Sequence, residues 1–567
     1  MSARRALLLA ALAALALLGA DAGDEPAAGF EWTPPRLALV EGEVSFLRPG
    51  ADDWAPARAN LALASGDRLY TQDDANVEIQ LAPRAFLRAG ERTELALESH
   101  EPDFLQLRVG SGLASLDLRS LPAGHTIELD TPNAAFTIEE TGYYRLDVDE
   151  AATTLTCRRG GSATLMTPAG RQLVVGASEE VVVSGEDAAS VESYAAPELD
   201  DWDLWNYRRT DRQLDSLSAR YVAGDVYGVS DLDQYGSWRT VAPYGPIWIP
   251  RYLHAGWSPY GFGRWIWDPY FGWTWLDDAP WGWAPFHYGR WIHVHGHWAW
   301  APGPLGVRWY YAPALVAFYG GHHTHVSWVP LGWGEPCRPW WGPRRWIGQP
   351  HWLGWSGPRI AGDTHENAKL RGGVVAVREA DFGRKPVDRI RVAGVDVGGL
   401  RLVRGALPVE RSKLSFVGAD EKTVAPPKGV RERSVVSTRP RALDAAGLRT
   451  PQPRIVPAPA LKKRDALPRP PFGASPGEER RTPEPPPRFE QPPRGREEIR
   501  TPKPPRVEAP KAPKSPKLPK PGKAERIGVE PQGELPGEPA NRVYRGRTGP
   551  GGRPAGAPGL RPAPGVR

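Results

Sequence analysis

The feature that most constrains this sequence is its tryptophan content between residues 238 and 355. This stretch of 118 residues holds 20 of the 24 tryptophans in the chain, and it contains few Leu, Ile or Val residues. A buried aromatic side chain removes about 150–250 Å² from water, so indole rings can replace an aliphatic core. Such a segment therefore either packs its rings into a core or displays them as a binding surface.

The tryptophans recur with a period of 26 residues. The two clearest copies are residues 256–275 and 282–300, and in each a Trp stands eight residues before the Trp of a Gly-Arg-Trp motif. Both copies end in Trp-x-Trp, and residues 235–250 and 332–346 look like degenerate further copies. A short period punctuated by Gly and Pro predicts a stacked or blade-like array of short strands.

Strand geometry places each Trp-x-Trp pair on one face, because residues i and i+2 of a strand point the same way. Core packing explains most of these rings, since burying each one stabilises the fold by up to about 4–6 kcal/mol. The alternative is that some rings remain exposed and stack on the apolar faces of sugars. The candidate ligand-stacking residues are Trp265, Trp267, Trp273, Trp275, Trp281, Trp283, Trp291, Trp298 and Trp300.

Two histidine clusters raise the question of a metal site. His293, His295 and His297 would share one face of a regular strand, and "HHTH" follows at 322–325. Imidazole is a good ligand for zinc, copper and nickel. However, Gly296 interrupts the strand, and the three histidines fall in the variable part of the repeat. We interpret them as turn residues and assign no metal or cofactor.

The adjacent carboxylates Asp277 and Asp278 could suggest acid–base catalysis. Glycoside hydrolysis needs two carboxyls that face one bond, whereas neighbouring strand residues point to opposite faces. A turn is the better interpretation. The sequence contains no nucleophile elbow, phosphate-binding loop, zinc-protease helix or Cys-x-x-Cys motif, so we expect a protein without catalytic residues.

Residues 36–190 show short runs of alternating apolar residues, bounded by Gly, Pro, Asn and Asp. Typical runs lie at 77–81, 104–109, 143–148 and 179–184. Period-two patterning with turn residues at this spacing predicts an all-β domain.

The same region resembles the periplasmic β domain of the FecR family. The resemblance rests on "GDRLYT" at 66–71, "VGSGLASL" at 109–116 and "DTPNAAFTIEETGYYRLDV" at 130–148. Members that regulate iron uptake place this domain outside the membrane, behind a cytoplasmic segment that acts on a sigma factor. Only a predicted signal peptide precedes the domain here, so we do not expect direct sigma-factor regulation.

The tryptophan-rich region also resembles a known family. "GWSPYGFGRWIW", "GWTWLDDAPWGWAPFHYGRW" and "HWAWAPG" are similar to a bacterial domain of unknown function that often follows a FecR-type domain in exported proteins. The similarity runs from about residue 202 to 387. It implies this domain order and export, and it implies no activity.

The remaining segments complete the predicted all-β organisation. Residues 198–221 form the best helix candidate, in which one face carries Leu204, Tyr207, Leu214, Leu217 and Tyr221. The predicted parts are a signal peptide at 1–22, a FecR-like domain at 36–190, a helical connector at 198–237, a Trp-rich repeat domain at 238–387, a weakly ordered region at 388–450 and a disordered basic Pro-rich tail at 451–567.

The tail and the N-terminus suggest a location. Residues 451–567 contain 25 Lys and Arg against 12 Asp and Glu, with 30 Pro, a composition that cannot bury a core. Residues 1–22 combine two arginines, a 13-residue apolar run and an Ala-Asp-Ala cleavage site, the pattern of a secretory signal. No Cys lies near the cleavage site and no later segment could span a membrane. We therefore expect a periplasmic or extracellular protein without a lipid anchor.

The two cysteines, Cys157 and Cys337, provide no spacing framework, so both a disulfide and two free thiols remain open. Because the chain is exported and its tail is poor in aromatic residues, we expect no nucleic-acid partner. The favoured function is a non-catalytic binding or scaffolding protein of the cell envelope, with polysaccharide as the ligand class. One alternative is a sensory protein that contacts an envelope signalling protein. The other is an envelope hydrolase with an unrecognised site.

Overall fold

A computed structural model describes residues 33–439, apart from gaps, and residues 454–455. The gaps lie at 186–188, 252, 307–308, 321–323, 343, 345, 350–354, 356, 364, 396–400, 418–422, 429 and 431–432. The predicted signal peptide and nearly all of the predicted tail lie outside the described residues. The described part is mostly β, which confirms the predicted fold class, and none of its helices is long and apolar enough to cross a membrane.

Residues 36–195, which we call the first half, form sixteen strands that are hydrogen-bonded into one continuous sheet. They are β1 (Arg36–Glu41), β2 (Val44–Leu47), β3 (Ala55–Pro56), β4 (Arg68–Thr71), β5 (Asn76–Ala82), β6 (Ala85–Ala89), β7 (Glu94–His100), β8 (Phe104–Leu118), β9 (Thr126–Asp130), β10 (Ala135–Ile138), β11 (Gly142–Val148), β12 (Ala152–Arg158), β13 (Ala163–Met166), β14 (Arg171–Val175), β15 (Glu179–Ser184) and β16 (Ser190–Ala195). The four runs used for the prediction lie in β5, β8, β11 and β15.

The long strand β8 connects the two halves of this sheet. Its first part pairs with β7 and, in parallel, with β9, whereas its second part pairs with β6 and β11. The two halves enclose an aliphatic core that includes Leu107, Leu116, Phe136 and Leu146. The alternating apolar residues of the strands supply this core, as period-two patterning requires.

The second half contains short helices and strands. These are α1 (Asp201–Leu214), α2 (Leu232–Tyr235), β17 (Gly236–Val241), β18 (Gly245–Pro250), β19 (Gly263–Asp268), β20 (Gly272–Asp277), α3 (Ala284–His287), β21 (Arg290–Val294), β22 (His297–Ala301), β23 (Val316–Gly320), β24 (His325–Pro330), β25 (Val375–Arg378), α4 (Val387–Ile390), β26 (Arg401–Leu402) and β27 (Arg454–Ile455). β27 pairs in parallel with β14.

The repeat unit is a β-hairpin with an aromatic cross-strand pair. The hairpins β17–β18, β19–β20, β21–β22 and β23–β24 follow one another along the chain. The first members of the pairs stand at intervals of 26 or 27 residues, and the pairs are Trp238–Trp248, Trp265–Trp275, Trp291–Trp300 and Phe318–Trp328. Such directly opposed aromatic residues stabilise a hairpin.

The prediction of a downstream repeat copy at residues 332–346 is wrong. The described residues of that segment form turns and loop, without a strand, and the fourth hairpin lies at 316–330 instead. In this copy Phe318 takes the place of the first Trp, and the Gly-Arg-Trp motif is absent. The Gly-Arg-Trp motif therefore does not mark this hairpin, whereas the spacing of aromatic residues does.

The hairpin β19–β20 lies between two cores. Trp265 and Trp275 face an aromatic core that contains most of the tryptophans. Ile266 and Leu276, on the other face, belong to the aliphatic core of the first half. Because successive side chains of this hairpin point to opposite faces, the hairpin packs against the cores of both the first and the second half of the described chain.

A buried arginine reinforces this junction. The Arg48 guanidinium donates to Asp67 over 2.9 and 2.6 Å from Nε and Nη2, and from Nη1 to the carbonyl oxygen of Trp267 over 3.2 Å. Both side chains of the ion pair are almost fully buried. A buried charge is tolerated only when it is paired in this way.

Helix α1 is shorter than predicted and buries a different face. Asp200 caps it in a reciprocal capping box with Asp203, and the helix ends at Leu214. Its buried residues include Trp202, Asn206 and Thr210, whereas Leu204 is exposed. The predicted apolar face is therefore wrong, because this helix packs on the sheet mainly through polar and charged side chains.

Glu78 on β5 is the centre of that polar contact. Its carboxylate accepts hydrogen bonds from Arg88 Nε over 2.6 Å, from Arg209 Nε over 2.6 Å and from Gln213 Nε2 over 2.7 Å. Burial by itself raises the pKa of Glu78, but Arg88 and Arg209 outweigh burial and lower this pKa to about 2. The carboxylate therefore stays charged and fixes α1 to the sheet.

Both cysteines are free thiols and both are buried. Burial raises the pKa of each to about 12, so almost no thiolate forms at neutral pH. We expect a chromogenic thiol reagent to modify neither cysteine in the folded protein and both in denaturant. Rapid modification of either thiol under native conditions would contradict this arrangement.

Candidate functional site

The nine predicted stacking tryptophans are mostly core residues. Trp267 is partly buried, and the other eight are at most 7 % exposed. Each of the eight belongs to the aromatic core, where Trp265, for example, lies 5.4 Å from Trp275 and 5.0 Å from Phe318 between ring centroids. A ring enclosed by other rings offers no face to a sugar, so the stacking assignment does not hold for these eight in this structure.

Trp267 is the one residue of the nine that reaches the surface. The Arg411 guanidinium carbon lies 4.9 Å from the centre of its ring, in a cation–π contact. Part of this indole is therefore already covered by the chain itself.

The histidines of "HVHGHW" surround the turn between β21 and β22. His295 and Gly296 form the two-residue turn with positive φ angles of 50° and 83°, His297 follows the turn directly, and His293 lies two residues before His295. Two positive φ angles are the requirement of a type I′ hairpin turn, which Gly meets easily. All three side chains are exposed, and the described residues contain no group of His, Cys, Asp or Glu arranged to hold a metal.

Asp277 and Asp278 lie where β20 ends. Asp277 is buried and accepts hydrogen bonds from Trp275 Nε1 over 2.9 Å and from the backbone N–H of Ala279 over 3.0 Å. Asp278 is exposed and lies 4.0 Å from Arg264. Burial raises the pKa of Asp277 well above its usual range. In this Asx-type turn the two carboxylates lie in different surroundings, so they do not face one common substrate bond.

A surface cavity on the first half of the chain combines aromatic and charged groups. It measures about 210 Å³. One side consists of Trp54, Arg68, Tyr70 and Glu94 from the loop before β3 and from β4 and β7. The other side comes from the far part of the sequence and consists of Ala425, Pro426, Pro427 and Val430. We call this the Trp54 cavity.

The charged residues of the Trp54 cavity are held in place. Glu94 Oε1 accepts hydrogen bonds from Arg68 over 3.3 Å and from Arg108 over 2.8 Å, and Glu94 is almost fully buried. The Arg68 guanidinium carbon lies 5.4 Å from the centre of the Trp54 ring. Burial and the nearby Asp73 raise the pKa of Tyr70, so its hydroxyl remains a hydrogen-bond donor. Polar groups and an indole are therefore preorganised around one small space.

The second wall belongs to the described residues of 412–439, which contact the first half, and we call these described residues the strap. Lys413 pairs with Asp52 over 2.5 Å, and Gln72 Nε2 donates to the carbonyl oxygen of Ala425 over 3.1 Å. Sequence reasoning missed the cavity, because Trp54 is one of four tryptophans outside the rich segment and its cavity partners lie about 370 residues away. The solitary Trp in "DDWAP" was the available signal.

Comparison with known proteins gives a family match over part of the chain and alignments with two solved structures. Residues 229–335 match a family described as "Family of unknown function (DUF6600)". Two crystal structures of an anti-sigma-factor candidate from Parabacteroides distasonis ATCC 8503 align with 23 % of this chain at 9 % and 10 % identity, each with a TM-score of 0.20. The alignment spans 59 % of those chains. No curated protein matches.

Proposed function

We propose that this chain is an exported, non-catalytic binding protein of the cell envelope, and that the Trp54 cavity takes one unit of an envelope polysaccharide. The observation that carries the proposal is the combination of Trp54 and Tyr70 with the Arg68–Glu94 pair around one cavity. Aromatic rings pack against the apolar faces of sugars, while fixed donors and acceptors pair with hydroxyls.

The size of the cavity favours a small unit. Its volume of about 210 Å³ is below the roughly 300–1,000 Å³ of pockets that enclose drug-sized ligands. A single sugar ring is the appropriate occupant, with the rest of the polymer outside. Because binding of one ring is weak, the basic Pro-rich tail would add attachment to anionic envelope polymers.

The charged groups support a binding role over hydrolysis. Glu94 is the one carboxylate among the cavity residues that the structure describes, and two arginines engage it. Glycoside hydrolysis ordinarily uses a pair of carboxyls on either side of the bond. Asp277 and Asp278 lie in a turn elsewhere in the fold.

Calorimetric titration of the full chain with solubilised peptidoglycan fragments and envelope polysaccharides tests this proposal. We expect Trp54→Ala to weaken binding by at least about tenfold, or 1.4 kcal/mol, because it removes the aromatic wall. Trp54→Phe should retain most of the affinity. Tyr270→Ala, at an exposed aromatic residue outside the cavity, is the matched control and should bind normally.

Three outcomes would count against the proposal. These are no binding of any glycan by the wild-type chain, equal loss in Trp54→Ala and Tyr270→Ala, or release of cleaved glycan during the titration. The last would support the hydrolase alternative.

A further inference from the structure

The end of the strap, "RSVVSTR" at 433–439, lies along the sheet as an extended peptide would lie in a receptor. Val435 and Val436 are buried, and Val436 packs with Ala135 and Met166 in a small apolar cluster. The backbone N–H of Val436 donates to the carbonyl oxygen of Thr131 over 2.9 Å. A main-chain hydrogen bond together with buried side chains is one way in which proteins bind extended peptides.

Both ends of this peptide are held by arginines. The Arg433 guanidinium donates to the carbonyl oxygens of Asp149 and Glu150 over 2.6 and 3.0 Å. At the other end, the Arg439 guanidinium carbon lies 3.9 Å from the centre of the Phe104 ring. The site therefore interacts with positive charge at both ends.

A buried carboxylate binds the hydroxyl groups near the middle of this peptide. Glu128 accepts hydrogen bonds from Ser437 Oγ over 3.1 Å, from the backbone N–H of Thr438 over 2.9 Å and from Thr438 Oγ1. Glu128 and Ser437 are both fully buried. Without the peptide, this carboxylate would lose three donors, which is costly for a buried charge.

The polar cluster under the peptide is short of hydrogen-bond donors. Gln106 Nε2, which carries two hydrogens, lies within hydrogen-bond distance of four acceptors, on Glu128, Asp130, Ser437 and Arg439. In the described part of the chain, Gln106 Oε1 and Asp130 Oδ1 have no donor. Gln106 and Asp130 are both completely buried.

The two neighbouring carboxyls partly relieve this shortage. Burial, and after it the charge of Glu128, raise the pKa of Asp130 well above its usual range. This shift favours the protonated form of Asp130, which can act as a donor within the cluster. Gln106 Oε1 remains a buried acceptor that the present occupant does not satisfy.

We infer that the groove lined by Phe104, Gln106, Glu128, Asp130 and Thr131, here called the acidic groove, is a recognition site for an extended basic peptide of a partner protein. The site favours a peptide that hydrogen-bonds through its main chain, carries Ser or Thr hydroxyls at its centre and has Arg or Lys at its ends. Residues 433–439 occupy it in cis and are a replaceable occupant, because they leave a buried acceptor unpaired. A partner segment that brings one more donor completes the cluster.

The test uses the full chain and a labelled peptide with the sequence of residues 431–441, "RERSVVSTRPR". Val436→Asp combined with Thr438→Ala should release the cis segment, because it buries a charge and removes a hydroxyl contact. We expect fluorescence anisotropy to show peptide binding by this released variant at least about tenfold tighter than by the wild type. Adding Glu128→Gln should remove that binding, and a peptide carrying Ser437→Ala and Thr438→Ala should bind at least about tenfold more weakly.

Thr438→Ala alone provides a milder release in case the double variant does not fold, and circular dichroism reports its folding. If a folded released variant does not bind the peptide, residues 433–439 are a structural strap and the inference fails. If release instead produces dimers in light scattering, the groove accepts the segment of a second copy, which overturns the assignment to a partner protein. Both results are independent of glycan binding, so this inference and the proposed function can fail separately.

Discussion

Trp265→Ala is expected to lower the free energy of unfolding by about 3–5 kcal/mol, the usual cost of truncating a buried aromatic residue. The Trp265 ring is 1 % exposed and is surrounded by the rings of Trp275, Phe318, Trp328 and Phe382, at centroid distances of 5.0–5.6 Å. Its Nε1 has no hydrogen-bond partner in the described part of the chain, so the loss comes from packing and from the cavity that remains.

Trp267→Ala is the matched control, since Trp267 lies on the same face of β19 but is only partly buried. We expect less than half the loss of stability. Urea unfolding followed by circular dichroism measures both variants. Equal midpoints for the two variants would mean that the aromatic core does not stabilise the fold as its packing implies.

Glu78→Gln is expected to lower the free energy of unfolding at pH 7 by about 3–5 kcal/mol, because it leaves Arg88 and Arg209 without their common carboxylate. Both arginines donate from Nε to Oε2 of Glu78, Arg209 also donates from Nη2 to Oε1, and the Glu78 side chain is completely buried. Glu43→Gln, at an exposed position, is the control and should change stability by less than about 0.5 kcal/mol.

Glu78 also predicts a dependence of stability on pH. Its pKa falls from 4.5 to about 2 on folding, so its contribution is complete above about pH 4.5 and is lost as the pH falls towards 2. A difference of this size corresponds to about 3 kcal/mol. Between pH 5 and 2 the wild type should lose about that much more stability than Glu78→Gln. Parallel pH profiles for the two proteins would contradict the ion-pair description.

Local patterns predicted the β organisation correctly. Alternation identified β5, β8, β11 and β15, and the 26-residue period identified the hairpins that contain Trp265 and Trp291. These features depend on neighbours in sequence, because strand alternation places i and i+2 on one face and a Gly with positive φ fixes a hairpin turn.

The helix and the fourth hairpin show where local patterns failed. The apolar face predicted for the helix is partly exposed, since Glu78 and Arg88, far away in sequence, attract its polar side. Phe318 replaces a Trp in the fourth hairpin and still pairs directly with Trp328, so a motif based on Trp could not detect this hairpin.

The sequence by itself determined that this chain forms short strands and builds a core from aromatic rings, because alternation, turn residues and the supply of apolar surface are local properties. Only the tertiary structure decided which rings are buried, because that depends on which faces meet. It also brought Trp54 beside Pro426 and Glu128 beside Ser437. Those pairs are more than 300 residues apart, and their contact follows from the path of the strap across the sheet.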